Sequence, residues 1–368
     1  MKQFLYETVY RDLLDKIEQG VYAFGDQLPP ESALCRTYDV SIITVRKALD
    51  ALRQAGIIQK IKGKGSIVAA RIRTGSRTNK TIAVLDIPFP SQMTPHYPQK
   101  DFPPSFFCDK NNWSHQLYSS LYASIPKNYN VLLAYYDYDT VMNDIGSTVI
   151  NSVERIFLLG YFDKALIDFL HEHGKLVLAY NCFDRDIEVC SVSMDNRDSV
   201  YRITDYLYSL GHTRIAAING DISVGDSLER ATGYQERIIS SGNRIDASCI
   251  KWGNMTFESG YFLAGEILDS DPDVTALVCV NDNVALGALY AVRERGLRCP
   301  EDISITGHDN NEFVNEIVPD FFTTADAHLG DIGRKVAELL VRPVWIDDRT
   351  MFREELLLRG SVAPPRAR

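Results

Sequence analysis

The chain has 368 residues, of which 45% are hydrophobic and 24% charged, a composition typical of a globular protein with two or three domains. No apolar run approaches the roughly 18 residues of a membrane helix. The seven cysteines are scattered with no C-x-x-C pair, which argues against a zinc site or a disulfide framework. Residues 1–80 hold 14 Lys and Arg against 8 Asp and Glu, whereas residues 81–368 hold 25 against 41. This split indicates a polyanion, such as nucleic acid, contacted by the first 80 residues alone, although a solvated basic face with a charged linker would look the same.

The N-terminal residues and the cysteines bear on cellular location. Glu7, Asp12 and Asp15 come before any apolar core could form, so we expect no signal peptide. Unpaired cysteines are typical of proteins kept in a reducing compartment. We therefore expect a cytoplasmic protein.

Residues 1–70 have the pattern of a three-helix module followed by a hairpin. The predicted elements are a helix ending at Gly20, a helix opening at Pro30, a helix capped by Ser41 and ending at Gly56, and two strands over 57–61 and 66–68. A tight turn between the second and third helices is typical of a helix-turn-helix, and the basic hairpin is typical of a wing.

The third helix and the hairpin tip carry the candidate DNA contacts. These are Ser41, Thr44, Arg46, Lys47, Lys62, Lys64 and Gly65. Arg46 can hold a guanine or a phosphate by two hydrogen bonds, and hydroxyls can donate to phosphate oxygens. Gly65 lets the backbone approach DNA closely, and the lysines supply charge.

Four motifs in this segment match one known family. They are Pro29-Pro30-Glu31-Ser32, Val40-Ser41-x-x-Thr44-Val45-Arg46-Lys47, Gly56-Ile57-Ile58 and Gly63-Lys64-Gly65-Ser66. The set resembles the winged headpiece of the GntR family and implies that Ser41, Thr44, Arg46, Lys64 and Gly65 touch operator DNA. Ser32 and Ile42 stand where that family often has Arg, so we expect an unusual operator sequence.

Beyond residues 1–70, which we call the head, the chain alternates between apolar runs and helical segments. Residues 71–80 are basic, poor in large apolar side chains and predicted to be a flexible linker. The apolar runs are Ile82–Leu85, Val131–Tyr135, Ile156–Leu159, Leu176–Ala179, Ile215–Ile218, Ala276–Val280 and Ile303–Thr306. Such alternation predicts parallel sheets covered by helices, here in two lobes, with ligands beyond the carboxyl ends of the strands. Polar side chains at those ends, among them Asn181, Asn281 and Asp309, suit a polyol.

A second set of motifs spans about residues 80–365 in order. It comprises Asp195-Asn196, Leu207-x-x-x-Gly211-His212-x-Arg214, Arg230-x-x-Gly233-Tyr234, Asn281-Asp282-x-x-Ala285-x-Gly287, Gly296-x-x-x-Pro300-x-Asp302 through Gly307-x-Asp309, and Leu358-Arg359-Gly360-Ser361. The set resembles the LacI/GalR sensor, which is similar to periplasmic sugar-binding proteins. The resemblance implies effector contacts from Arg230, Asn281 and Asp309. Asn181 is a further candidate by position, and Phe257 is the candidate aromatic contact.

Several alternatives stay open at this stage. Arg230 and Asp309 can be ligand contacts or only a structural ion pair, and Asp282 can cap the helix that begins there. His308 stands where the resembled family usually has Phe or Tyr. Residues 88–113 form an unusually long loop with six prolines, which is a lid or an interface strap, or else a passive insertion.

The sequence therefore predicts a winged helix-turn-helix over 1–70, a linker over 71–80 and an α/β two-lobed periplasmic-binding-protein-like sensor over 81–368. The combination resembles bacterial arabinose-type repressors. We expect a homodimeric one-component transcriptional regulator, a repressor, that binds operator DNA and responds to a small molecule, a mono- or oligosaccharide. No catalytic constellation, metal site, cofactor or membrane contact is predicted. The alternative is a sugar receptor without a regulatory role, which would have no use for the head.

Overall fold

The computed structural model of the protein describes residues 5–55, 57–61, 64–69, 72–74, 80–89, 113–342, 344–346 and 348–366. Lys62 and most of the long loop predicted over 88–113 lie outside the described residues. No described helix has the length and apolar character needed to cross a membrane.

The head folds as a winged helix-turn-helix, as predicted. Its elements are α1 (Leu5–Glu18), α2 (Glu31–Tyr38), α3 (Ile42–Gln54), β1 (Ile58–Ile61) and β2 (Gly65–Val68). The Ser41 hydroxyl accepts a hydrogen bond from the Thr44 amide at 3.3 Å and so caps α3. Val45, Leu49 and Leu52 form the buried face of α3 within the head core. The opposite face of α3 is left for solvent or DNA, and β1 and β2 pair antiparallel as the wing.

The first lobe of the sensor, called the N-lobe, is a parallel sheet covered by helices. Its strands are β4 (Thr81–Ile87), β5 (Asn130–Tyr135), β6 (Arg155–Gly160), β7 (Leu176–Tyr180), β8 (Cys190–Met194) and β15 (Arg349–Phe352), and its helices are α4 (Trp113–Ser124), α5 (Tyr138–Asp144), α6 (Lys164–Glu172) and α12 (Leu329–Val341). The strand order is β15-β8-β7-β6-β4-β5, and every pairing is parallel. Strands β6 and β7 are almost continuously apolar because both faces of the sheet are covered.

The second lobe, called the C-lobe, repeats this plan with a smaller sheet. Its parallel sheet has the order β10-β9-β11-β12, built from β9 (Ile215–Asn219), β10 (Ile250–Trp252), β11 (Ala276–Cys279) and β12 (Ser304–Thr306). Its helices are α7 (Asn196–Ser209), α8 (Gly225–Ser240), α9 (Phe257–Ser270), α10 (Asp282–Glu294) and α11 (Glu312–Ile317). Each lobe has its own hydrophobic core, so the lobes are separately packed units that are joined by crossing segments.

The described chain crosses between the lobes in three segments. The first joins β8 to α7 and the second joins β13 (Thr324–Asp326) to α12. The third joins β15 of the N-lobe to β16 (Glu355–Leu357), which pairs antiparallel with β13. This pairing places the second and third crossings side by side as a hinge.

Several strands were not among the predicted apolar runs, and β3 and β8 show why. Residues Ile72–Thr74 of the predicted flexible linker form β3, which pairs antiparallel with β14 (Val344–Ile346). The partner lies near the far end of the chain, so no local pattern could reveal it. The segment Cys190–Met194 was not predicted because two serines interrupt its apolar run, yet β8 is buried between β7 and β15.

Candidate functional site

A cleft with a volume of about 530 Å³ lies between the lobes. It is lined at the carboxyl ends of the strands by Phe89, Gly160, Tyr161, Phe162, Asp163, Lys164, Tyr180, Asn181, Cys182, Phe183, Asp184, Ile187, Met194, Asp221, Ser223, Val224, Gly225, Asp226, Arg230, Asn254, Met255, Asn281, Asn283, Asp309, Asn311, Ala327 and Leu329. The strand ends are where open α/β sheets bind ligands. The volume is sufficient for a small organic molecule.

Arg230 and Asp309 meet on the C-lobe side of this cleft. Arg230 Nη2 donates to Asp309 Oδ1 at 2.7 Å, and Arg230 is also held by Asn196 Oδ1 at 2.6 Å and the Val280 carbonyl at 2.7 Å. Burial opposes ionisation of Asp309, but Arg230 and His308 together outweigh it and hold the pKa of that carboxyl below its ordinary value. The pair is a structural ion pair and also lines the cleft, so the two alternatives left open by the sequence are not exclusive.

Asn281 and Asn181 also line the cleft, each with part of its amide committed to the fold. Asn281 Oδ1 accepts from the Val284 amide at 2.9 Å as the cap of α10, and its Nδ2 donates to the Met255 carbonyl at 3.1 Å. Asn181 Oδ1 accepts from the Met194 amide at 2.9 Å, and its φ of 54° is in the left-handed region that Asn tolerates. The backbone therefore fixes both side chains in place before any ligand enters.

The expectation for Phe257 needs correction. Its side chain is only 4% exposed and lies in the C-lobe core, where its ring meets that of Tyr290 edge-on at a centroid distance of 5.4 Å. The reason is local, because Thr256 caps α9 and the first residue of that helix turns inward. Met255, two residues earlier, lines the cleft instead.

The aromatic surface of the cleft comes from the N-lobe. Phe89, Tyr161, Phe162, Tyr180 and Phe183 line it. The rings of Phe89 and Tyr161 pack edge-on with centroids 6.1 Å apart. Phe89 lies in the long loop predicted as a lid or strap, whereas the other four residues were not predicted, although they follow apolar runs predicted to be strands. Searching the carboxyl ends of those runs for aromatic as well as polar residues would have found them.

Asp226 is a further cleft residue that was not predicted. It lies in the first turn of α8, one helical turn before Arg230, and lines the cleft. Burial raises its pKa to about 6, against the opposing effects of Arg230 and the Asn181 side chain. The spacing of four residues on a predicted helix was the available signal, since it puts both side chains on one face.

Asp282 has a structural role, but not the one expected. Asn281 caps α10, while the buried Asp282 carboxylate accepts from the Asn311 amide at 2.7 Å and the Thr324 hydroxyl at 2.9 Å. Burial raises the pKa of Asp282 to about 7. A side chain at Gly307 would collide with this carboxylate, which explains the glycine there. Asp282 thus fastens the loop after β12 to the start of β13.

On the head, the structure places most of the predicted DNA contacts on one exposed surface. Arg46 is exposed, and its Nε donates to Glu31 Oε2 at 2.8 Å, so α2 orients the arginine of α3. Lys64 and Gly65 lie at the exposed tip of the wing, where the φ of 85° at Gly65 favours glycine.

The remaining predicted contacts on α3 are partly engaged within the head. The Ser41 and Thr44 hydroxyls lie 2.9 Å apart at the start of the helix. Lys47 Nζ lies 3.9 Å from the centroid of the Tyr6 ring. Ile43, which the sequence analysis did not single out, is 75% exposed on the same helix. An exposed aliphatic side chain there can contact a thymine methyl group.

Comparison with known proteins identifies the family. Residues 157–357 match the model of periplasmic binding proteins and the sugar binding domain of the LacI family, and residues 5–68 match that of bacterial regulatory proteins of the gntR family. The first match covers more than half of the chain, which therefore belongs to the LacI-type periplasmic-binding-protein family, with a GntR-type head.

Individual relatives agree with this assignment. The transcriptional regulator CelR of Thermobifida fusca is 33% identical over 154 residues, 42% of this chain and 45% of CelR. The transcriptional repressor CytR of Escherichia coli strain K12 is 33% identical over 221 residues, 58% of this chain and 64% of CytR. The chain thus matches less than two thirds of the length of either relative.

Solved structures share the fold. A complex of the transcriptional regulator CelR with cellobiose superposes with a TM-score of 0.64 at 23% identity, covering 88% of this chain and 91% of that one. A LacI-family regulatory protein from Chloroflexus aggregans has a TM-score of 0.62 at 25% identity, covering 77% and 98%.

Proposed function

We propose that this protein is a cytoplasmic one-component transcriptional repressor that binds operator DNA through its head and is released by a saccharide bound between the lobes. The proposal depends on one observation. The same chain has a winged helix-turn-helix and a cleft that is lined both by a carboxylate–arginine pair and by aromatic rings. Carboxylates accept hydrogen bonds from hydroxyls, amide side chains both accept and donate, and rings stack on the C–H faces of sugars.

The charge of the cleft favours an uncharged ligand. Its described lining holds five Asp, at positions 163, 184, 221, 226 and 309, against Lys164 and Arg230. Arg230 is already neutralised by Asp309, so an anionic ligand would meet a net negative surface. A neutral mono- or oligosaccharide fits this chemistry better than a sugar phosphate. The relative CelR has been solved with cellobiose, which supports a saccharide here.

A panel of small molecules tests the class of effector. We expect cellobiose, glucose or another neutral saccharide to raise the thermal unfolding midpoint, because a ligand at 100 times its Kd stabilises by about 2.7 kcal/mol. Glucose 6-phosphate serves as the anionic counterpart and should give no shift. A shift with anionic compounds alone would contradict the proposal.

Two copies of the chain would present two heads to a pseudo-palindromic operator. Closure of the lobes around a ligand would then change the spacing of the heads, provided that the ligand binds the two states with different affinities. The proposal includes no catalytic role, because the relatives are transcriptional regulators.

Removing the head tests whether the head binds DNA and the sensor binds the saccharide. A protein lacking residues 1–70 should no longer bind operator DNA, since the acidic sensor repels a polyanion. It should keep the saccharide-induced thermal shift, because the cleft is built from residues 89–329 alone. Electrophoretic mobility shift assays with both proteins give the result, and DNA binding by the shortened protein would refute the assignment.

A further inference from the structure

His308 lies next to the effector cleft and is completely buried between two carboxylates. Its Nδ1 is 2.9 Å from Asp309 Oδ1, and its Nε2 is 3.2 Å from Glu354 Oε2. Glu354 belongs to the third crossing, between β15 and β16, and is itself buried. The imidazole therefore spans from a cleft residue to the hinge.

The two carboxylates beside the ring favour donation from both nitrogens. Asp309 and Glu354 are carboxylates, which accept when ionised. Ser199 Oγ lies 2.9 Å from the same Nε2, and either atom of that contact can be the donor. A neutral imidazole has one donor, whereas the imidazolium has two. Each nitrogen faces a carboxylate, so only the imidazolium directs a donor towards both Asp309 and Glu354.

Electrostatics agree with this geometry. Burial and the charge of Arg230 disfavour the imidazolium, but the carboxylates of Glu354 and Asp309 outweigh them and raise the pKa of His308 above its ordinary value. Ser199 and the buried Asp282 also interact with the ring. Charges therefore alternate along a buried row that runs from Arg230 through Asp309 and His308 to Glu354.

We propose that His308 is a positioning residue, which holds the Asp309 carboxylate for the effector and ties it to Glu354 in the hinge. The inference rests on the proposed saccharide function. Arg230 and His308 both contact Oδ1 of Asp309, so Oδ2 is the oxygen that these described contacts leave for a ligand hydroxyl. A ligand that shifts Asp309 would thereby also shift Glu354 in the third crossing, because His308 contacts both carboxylates.

Nitrogen NMR of the ligand-free, full-length protein tests the donor pattern directly. With ¹⁵N-labelled histidine, the His308 signals are assigned by their loss in His308→Asn. At pH 7 both ring nitrogens should have the chemical shifts of an imidazolium, and Glu354→Gln should lower the pKa of the ring because it removes the hinge carboxylate. A single neutral tautomer at pH 7, or a pKa unaffected by Glu354→Gln, would overturn the proposal.

Calorimetry with cellobiose and glucose measures the effect on the cleft. His308→Asn and Glu354→Gln should each weaken saccharide binding by about tenfold, the equivalent of one lost hydrogen bond to a charged group. His173→Asn is the control, because His173 is exposed at the end of α6, outside the cleft lining, and its Nδ1 lies 2.8 Å from the Phe169 carbonyl. It should leave the affinity unchanged.

The outcomes separate this inference from the proposed function. If neither saccharide binds the wild-type protein, the effector class is wrong, and the NMR result alone decides the role of His308. If a saccharide binds equally well to wild type, His308→Asn and Glu354→Gln, the effector class stands and His308 does not position Asp309. Glu354 does not line the cleft, so weaker binding in its variant must act through the buried row.

Discussion

Asp309→Asn is expected to abolish the response to saccharide while leaving operator binding in place. The substitution keeps the size of the side chain but removes the charge that Arg230 neutralises and an acceptor in the cleft. Leaving buried partners unpaired costs about 1–3 kcal/mol or more, which corresponds to a loss of affinity of roughly 5- to 150-fold or more. Calorimetry with the effector and mobility shifts with operator DNA measure the two properties separately.

The matched control is Asp331→Asn, since Asp331 pairs with Arg334 on the exposed surface of α12. Unchanged saccharide affinity in Asp309→Asn would place the effector site elsewhere.

Arg230→Ala should also abolish the response to saccharide and is the more disruptive change, because Arg230 also donates to Asn196 and to the Val280 carbonyl. Breaking a buried ion pair from one side lowers the free energy of unfolding by about 3–5 kcal/mol, which urea denaturation would detect.

Arg46→Ala is expected to weaken operator binding by about 1–3 kcal/mol and to relax the preference at one base-pair position. Arg46 is exposed and held by Glu31 in a fixed orientation, which suits a two-bond contact to guanine. Arg53→Ala is the matched control on the same helix, because Arg53 pairs with Asp50 near the C-terminal end of α3.

Binding-site selection with randomised operators measures the base preference. Fluorescence anisotropy at several salt concentrations measures the affinity and its salt dependence. Lys64→Ala should weaken all sequences alike and reduce the salt slope by about 1, as expected for a phosphate contact. If Arg46→Ala lowers affinity uniformly, with no change in base preference, Arg46 contacts only phosphate and the specificity lies elsewhere on α3.

The fold was largely predictable because its signals are local. Ser41 as a helix cap and the apolar runs of β6 and β7 each depend on residues close in sequence. Strands β3 and β14 were not predictable, since each is stabilised by a partner at the other end of the chain. The same is true of β8, which carries two serines and pairs with β15 near the other end of the chain.

The candidate site was partly predictable for a related reason. The family motifs led to Arg230, Asn281 and Asp309, and the structure places all three at the cleft. Phe257 was misplaced because a one-residue change along a helix start decides between cleft and core. The link from Asp309 through His308 to Glu354 joins segments far apart in sequence, so only the folded chain shows it.

The pairing of β3 with β14 has a consequence for the DNA that this protein can recognise. Strand β3 is fixed to the sensor by backbone hydrogen bonds, which leaves only residues 69–71 between β2 of the head and β3. In the proposed dimer, each head would then be tethered close to its own sensor and have little freedom to rotate about the DNA axis. One turn of DNA is about 10–10.5 base pairs, so inserting about 5 between the half-sites would turn one of them to the opposite face. Such an operator should bind one head only, whereas a long flexible linker would let both heads bind despite the insertion of about 5 base pairs.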